Sequence, residues 1–342
     1  MSSTAQPSPP LPAPAQMLGM LNGFLTVQAL HVAAVLGLAD LLASGPQSVD
    51  DLAEATGADR SSLHRLLRML TGPGVFREEP DGRFAVTALG ATLQSDGPDS
   101  VREWALFVGA PEMWTVWAGL RDSVMTGQTA FLTVHGAPIW QYLTTRRDLG
   151  EVFNGWMTRQ SRHHNAALVA AYDFSPFRLV ADIGGGQGST LAAILAAHPP
   201  VHGILLDLPQ VVAHAPALGE AQLTGRCQVI GGDMLASVPA GADAYLIKRV
   251  LMDWADGDAT ALLRNCAAAM AEQGKVIVVE MLMPAGNDPS PAKPFDMLML
   301  LNQSGRIRTE AEFRELFTAA GLRLTKIIPT ASPNSIVEGV RA

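Results

Sequence analysis

From Arg178 onward the chain repeats one pattern five times. The runs "RLVADIGGG", "VHGILLDLP", "RCQVIGGDM", "ADAYLIKRV" and "GKVIVVEML" are short and apolar, and helical stretches separate them. Strands alternating with helices need crossover connections, which assemble a parallel, doubly wound sheet covered on both faces. After a helix near 309–320, "LRLTKIIPT" and "SIVEGVRA" flank the turn "ASPNS" and read as a hairpin at the edge of that sheet. The expectation for 173–342 is an α/β, Rossmann-like domain with a mostly parallel seven-stranded sheet.

With 342 residues the chain has room for a second domain, and the part before 173 is built differently. Residues 1–16, "MSSTAQPSPPLPAPAQ", have neither a basic start nor an apolar run, and read as a disordered Pro-rich tail. Between 17 and 43 the apolar residues, among them Met17, Met20, Leu21, Phe24 and Leu25, occupy more than one face of a helix. Such a helix must bury more than one side, and a second copy of the chain would cover the outer one. Ser48 and Asp59 are N-caps for two short helices, Gly57 ends the first, and "FREEPDGRFAVT" is a hairpin on a Pro-Asp-Gly turn.

Helix, helix and hairpin make a winged-helix pattern, expected over 17–100 as a mainly α-helical dimerisation domain. Winged helices often read DNA. Here the second helix is filled by Leu63, Leu66, Leu67, Met69 and Leu70, and the net charge is −8, so the basic face that a phosphate backbone needs is lacking. Residues 101–172 read as a helical linker and substrate-pocket region, rich in aromatics such as Trp104, Phe107, Trp114 and Trp156. His135, before Gly136, reads as a loop residue.

Cys227 and Cys266 have no metal-binding or disulfide-framework spacing, and no HExxH or EF-hand pattern occurs. Neither a metal nor a nucleic acid is expected. No uninterrupted apolar run approaches the ~18 residues of a spanning helix, so no membrane partner is expected either. A cytoplasmic location follows from that reading.

The first strand runs into "DIGGGQGS", which fits acid-x-G-x-G-x-G with Asp182, Gly184, Gly186 and Gly188. Glycines let backbone approach a ligand closely, and open sheets bind ligands beyond their strand C-termini. Asp207 ends the second strand, where a carboxylate can accept both ribose hydroxyls. Asp233 follows the third, where it can accept from an adenine amine while Met234 packs on the purine. No P-loop occurs, and no arginine stands ready for a 2′-phosphate. An adenosyl cofactor without a phosphate chain, S-adenosylmethionine, fits better than a dinucleotide.

The stretches "LVADIGGGQGS", "LLDLPQVV", "GGDM", "LIKRVLMDW", "GKVIVVEMLMP" and "GRIRTEAEFRELFTAAGL" together resemble the bacterial and plant class I small-molecule O-methyltransferases. The resemblance implies a homodimer that binds S-adenosylmethionine and releases S-adenosylhomocysteine. It implies that Gly184 approaches the amino-acid part of the cofactor, that Asp207 binds the ribose, that Asp233 and Met234 meet the adenine, and that Lys248 lines the site, with Leu208 among the cofactor-binding residues. The family's usual His-Asp-Trp, whose histidine is the general base, here reads Met252-Asp253-Trp254. Glu280 matches one flanking glutamate, and Ile307 stands where the other is usual.

A phenol of pKa ~10 is mostly protonated at neutral pH. A general base contributes roughly 10²–10⁴ in rate, about 3–5 kcal/mol, whereas orientation contributes about 7–11 kcal/mol. Loss of the base therefore slows methyl transfer without forbidding it. The expected activity is methylation, chiefly O-methylation, of a small aromatic or polyketide-like secondary metabolite. The alternative is a non-methylating enzyme of the same fold (a hydroxylase, decarboxylase or pericyclase) that keeps the sulfonium as a fixed charge. Met252, Asp253 and Glu280 are the candidate catalytic set. Met157, His164, Asp296, Met299 and Asn302 are the candidate substrate contacts.

Overall fold

A computed structural model describes residues 11–97, 99–213, 223 and 225–342. The chain divides into two compact units. One comprises the residues up to Trp114 with Glu151–Trp156, and the other comprises Thr115–Gly150 with Met157–Ala342. The aromatic region 101–172 is therefore shared between the units, and the long helix Arg147–Ala171 contributes to both.

In the first unit the helices Val49–Thr56 and Arg60–Thr71 precede a hairpin of β1 (Phe76–Glu78) and β2 (Phe84–Val86). Ser48 Oγ accepts from the Asp51 N–H at 3.1 Å, and Asp51 returns a carboxylate to the Ser48 N–H, closing a capping box. Asp59 Oδ1 accepts from the Ser62 N–H at 2.8 Å. Leu63, Leu67 and Leu70 turn inward onto Leu52, Phe76 and Phe84. Arg60, Arg77 and Arg83 are ion-paired with Asp50, Glu79 and Asp81, so their charge is met within the unit.

The tail departs from expectation. Residues 1–10 lie outside the described part, but a helix starts at Ala13, inside the segment read as disordered to residue 16. Pro12 caps it and a second proline stands in the first turn, where the missing N–H is harmless and the fixed φ is already helical. Ala13–Val35, two helices meeting at Asn22, contains an 18-residue window with a mean hydropathy of 1.5. Gln16, Asn22, Gln28 and His31 interrupt it, yet among the described residues it is the stretch whose length and composition would suffice to cross a bilayer. Ala29, Ala33 and Ala34 are buried, but its larger apolar side chains stand mostly in the open, with Met20 at 76% and Phe24 at 52% exposure.

The second unit holds β3 (Leu179–Ile183), β4 (His202–Asp207), β5 (Cys227–Gly231), β6 (Ala244–Lys248), β7 (Lys275–Glu280), β8 (Leu322–Pro329) and β9 (Ser335–Arg341). They form one sheet in the order β5-β4-β3-β6-β7-β9-β8, parallel through β7 and antiparallel beyond. Both faces carry apolar cores, which is why β6 and β7 read as continuous rather than alternating apolar runs. On β9, Glu338 accepts from Tyr172 Oη, Thr325 Oγ1 and Lys275 Nζ, and these donors hold its carboxyl below the usual range despite burial. Strand order reverses beside β3, so the C-terminal ends of β3, β4 and β6 open onto one crevice. His135 closes the helix Ala130–His135 instead of lying in a loop, because Gly136 in the left-handed region (φ 70°) makes the stop.

Candidate active site

The loop after β3 sets the floor of the crevice. Gly184, Gly186 and Gly188 all adopt left-handed backbone, with φ of 67°, 62° and 78°. At Gly184 space is short as well, since a Cβ there would lie 2.8 Å from Val250 Cγ2 and 3.3 Å from Met234 Sδ. The helix Ser189–Ala197 follows at once. A cleft opens above this loop, lined among others by Met157, Ser161, Asp182, Gly186, Lys248 and Arg249.

Asp182 is fully buried at this floor and neither carboxylate oxygen has a hydrogen-bond partner. Burial pushes its carboxyl up to about 7, against the opposing pull of Lys248. Lys248, at the end of β6, donates to Ser161 Oγ at 3.0 Å and is brought down to about 8 by burial and by the neighbouring Arg249. A buried carboxylate without donors, facing backbone that can come close, suits a ligand carrying a cation and hydrogen-bond donors. That is the character of an amino-acid ammonium, so the residues present fit S-adenosylmethionine.

Asp207 lies beside this floor. Its Oδ2 accepts from the Gly186 N–H and its Oδ1 from the Leu208 N–H, both at 2.7 Å, which ties the glycine turn to the end of β4. Burial nevertheless raises its carboxyl. Leu208 is 38% exposed. Asp233 is exposed and spends Oδ1 on the Leu235 N–H at 2.9 Å, shaping the turn that holds half-buried Met234.

Met252 sits in a short 3-10 turn, Leu251–Asp253, at 1% exposure. Around it are Met281, Ala292, Met299 and Ile307, with Met283, Phe295 and Leu298 at the margin. Its N–H donates to Glu280 Oε1 at 3.0 Å, while Glu280 Oε2 is buried without a partner. Burial raises Glu280 to about 7, and burial together with Glu280 raises Asp253 well above its ordinary value.

Two features fix this turn. Gly305 lies so close that a Cβ would come within 2.0 Å of the Met252 carbonyl oxygen. Arg308, fully buried, donates to the carbonyls of Leu251 and Trp254 at 2.7 and 2.8 Å and to Asp256 Oδ1 at 2.9 Å.

The remaining candidates divide. Met299 lies within the methionine cluster, and Met157 lines the cleft. Asp296 accepts from the Ile307 N–H at 2.6 Å, and Asn302 Oδ1 is buried without a partner. His164 is buried with Nδ1 unpartnered, and burial, then Arg249 and Lys248, push its imidazole down to about 4. Arg249, Ser161 and Arg308 were absent from the candidates read from sequence. Only the "KR" at the end of β6 hinted at the first.

Among the described residues no group of three or more His, Cys, Asp or Glu could hold a metal ion.

Comparison with known proteins covers almost the whole chain. The O-methyltransferase dimerisation domain family matches residues 18–96, and the O-methyltransferase domain family matches 117–323. A phenazine O-methyltransferase of Lysobacter antibioticus is 41% identical over 96% of this chain and 96% of its own. An O-methyltransferase from neocarzinostatin biosynthesis, solved with S-adenosylmethionine and 2-hydroxy-5-methyl naphthoic acid, is 34% identical, covers 93% of this chain and 96% of its own, and superposes with a TM-score of 0.83. Aclacinomycin 10-hydroxylase of Streptomyces purpurascens is 34% identical over 94% of this chain and 89% of its own.

Proposed function

The chain belongs to the S-adenosylmethionine-dependent O-methyltransferases, and from that premise we propose that it methylates a hydroxyl of a small aromatic secondary metabolite by positioning alone, with no side-chain base at residue 252. The observation that carries this reading is that Met252, walled by Met281, Met299 and Ile307, occupies the turn next to buried Glu280 and the cleft-lining Arg249. A thioether neither takes nor gives a proton. The turn is held rigidly by Arg308, so what it offers is shape.

S-adenosylmethionine, when bound, supplies an electrophilic methyl on a sulfonium. Gly184 and Gly186 would let its amino-acid part approach backbone, with Asp182 as counter-charge and Lys248 at the opposite wall. Asp207 and Leu208 would meet the ribose side and Met234 the adenine, with Asp233 holding the turn beneath it. Met157, Met299 and Asn302 would contact the acceptor. Asp296 and Asp253 shape the segments around it. His164, driven neutral, could accept a hydrogen bond there.

The exposed apolar helices within Ala13–Val35 fit burial against a second copy of the chain, in keeping with the dimerisation-domain match.

The test is product analysis with a panel of phenols and hydroxyquinones. S-adenosylhomocysteine formed in step with a methylated acceptor supports the reading. A changed acceptor with no S-adenosylhomocysteine would favour the non-methylating chemistry that the hydroxylase relative brings into view.

A further inference from the structure

We infer that the acceptor enters the site as an oxyanion, from a hydroxyl on a flat aromatic ring acidic enough to ionise in water, and that Arg249 receives its charge. This rests on the methyl-transfer reading and adds to it a substrate class and a specificity-determining residue.

Arg249 is the one non-glycine residue among those described with a left-handed backbone, at φ 56°. That conformation is unfavourable for a residue with a Cβ and persists only where the surroundings enforce it. Here the Arg249 N–H is tied to the Val279 carbonyl at 3.0 Å, which turns the side chain out of the β6 line and into the cleft. Its guanidinium carbon lies 4.9 Å over the centre of the Phe295 ring. Nε is buried without a hydrogen-bond partner, and among the described residues no carboxylate comes within ion-pair distance of the group. A planar cation held in a crevice with its donors unspent is a ready receptor for an anion.

The charged neighbours leave that charge uncancelled. Asp253 and Glu280 face Arg249, but burial keeps both toward their protonated forms. Lys248 stands beside it and is itself cationic, with Asp182 across the cleft. His164 also faces it and is neutral at pH 7. The walls are apolar and polarisable, since Phe295 under the guanidinium packs on the cluster of Met252, Met281 and Met299. A site with sulfur and ring surfaces and one cationic edge matches an aromatic oxyanion whose charge is spread over a flat ring. The proton is lost to bulk water before binding, so no side chain has to take it.

The probe is 4-nitrophenol, whose phenolate band reports ionisation directly, bound to the full chain saturated with S-adenosylhomocysteine. On lowering the pH, the bound probe should stay ionised longer than in water, its ionisation constant raised about tenfold or more. Arg249→Gln should abolish that rise and Arg249→Lys keep part of it, each still showing a cooperative melt. A bound probe that titrates as in water, or at higher pH, overturns the assignment. So does a rise that survives Arg249→Gln, which would belong to Lys248, and so does failure of 4-nitrophenol to bind where 4-nitroanisole binds. Failure of the methyl-transfer reading looks different: Arg249-dependent phenolate binding, with no S-adenosylhomocysteine made from S-adenosylmethionine by any acceptor.

Discussion

Two regions of one crevice are made in opposite ways. The floor after β3 is built from backbone, with three left-handed glycines, the fully buried Asp182 and a carboxylate at the end of β4 that bonds the loop itself. The wall around Met252 is built from side chains of three segments (251–253, 281–299 and 305–308) that pack as sulfur and hydrocarbon. A floor of backbone tolerates little change, because its shape is set by φ angles and contacts under 3 Å. A wall of flexible methionines can be repacked for a different ring at small cost. Cofactor chemistry and acceptor choice are thereby separated, which suits a family whose members share one methyl donor and differ in what they methylate.

The contrast can be broken most sharply at Gly184. Gly184→Val adds a β-branched side chain at φ 67° against Val250, and should weaken S-adenosylhomocysteine binding more than about 100-fold in calorimetry. Unchanged affinity would mean that the floor is not rigid. On the wall, Met252→His should raise turnover of a weakly acidic phenol by about 10–100-fold, at or below the low end of general-base effects because Ile307 supplies no second acid. If it does nothing while His164→Ala abolishes turnover, the proton goes to the neighbouring helix and positioning alone is the wrong mechanism.

A smaller effect separates the two buried acids. Asp182 ionises near 7, so affinity for S-adenosylhomocysteine should tighten about tenfold between pH 6 and pH 8, and Asp182→Asn should flatten that dependence. A pH-independent wild type would place the ammonium elsewhere. The smallest concerns Glu280, raised from an ordinary 4.5 to about 7. Between those values the folded chain holds a proton that the unfolded chain releases. The contribution of Glu280 to stability is therefore full below about 4.5 and is lost as pH rises through 7. Glu280→Gln should remove that decline and melt a few degrees higher than wild type at pH 8. An equal decline in the variant would assign it to other groups.

The legible parts of the site were those in which one short segment carries its own constraint. "DIGGGQGS" announces its turn because only glycine tolerates those φ values, and Ser48 and Asp59 announce helix starts through local hydrogen bonds. The sheet was legible because strands buried on both faces must be apolar throughout. Less was visible where partners are distant in sequence. Nothing in "GRIRT" shows that Arg308 clamps the carbonyls of Leu251 and Trp254, and no propensity places Arg249 in a left-handed conformation above Phe295. The helix start at Ala13 was hidden by prolines that read as tail, although proline is at home in a first helical turn.

The position of β9 has a consequence for biosynthesis. The hairpin was expected at the rim, and it is there, but its second strand is the inner one, seated between β7 and β8. As the chain leaves the ribosome, β3 to β7 can meet early, yet β7 keeps an open flank and β8 has no neighbour until residues 335–341 emerge. Tyr172, Lys275 and Thr325 must also wait for Glu338 before their shared carboxylate exists. The nascent domain therefore carries a sticky edge until the last strand of the sheet is translated, and a stop codon just ahead of Ser335 would leave that edge exposed for good.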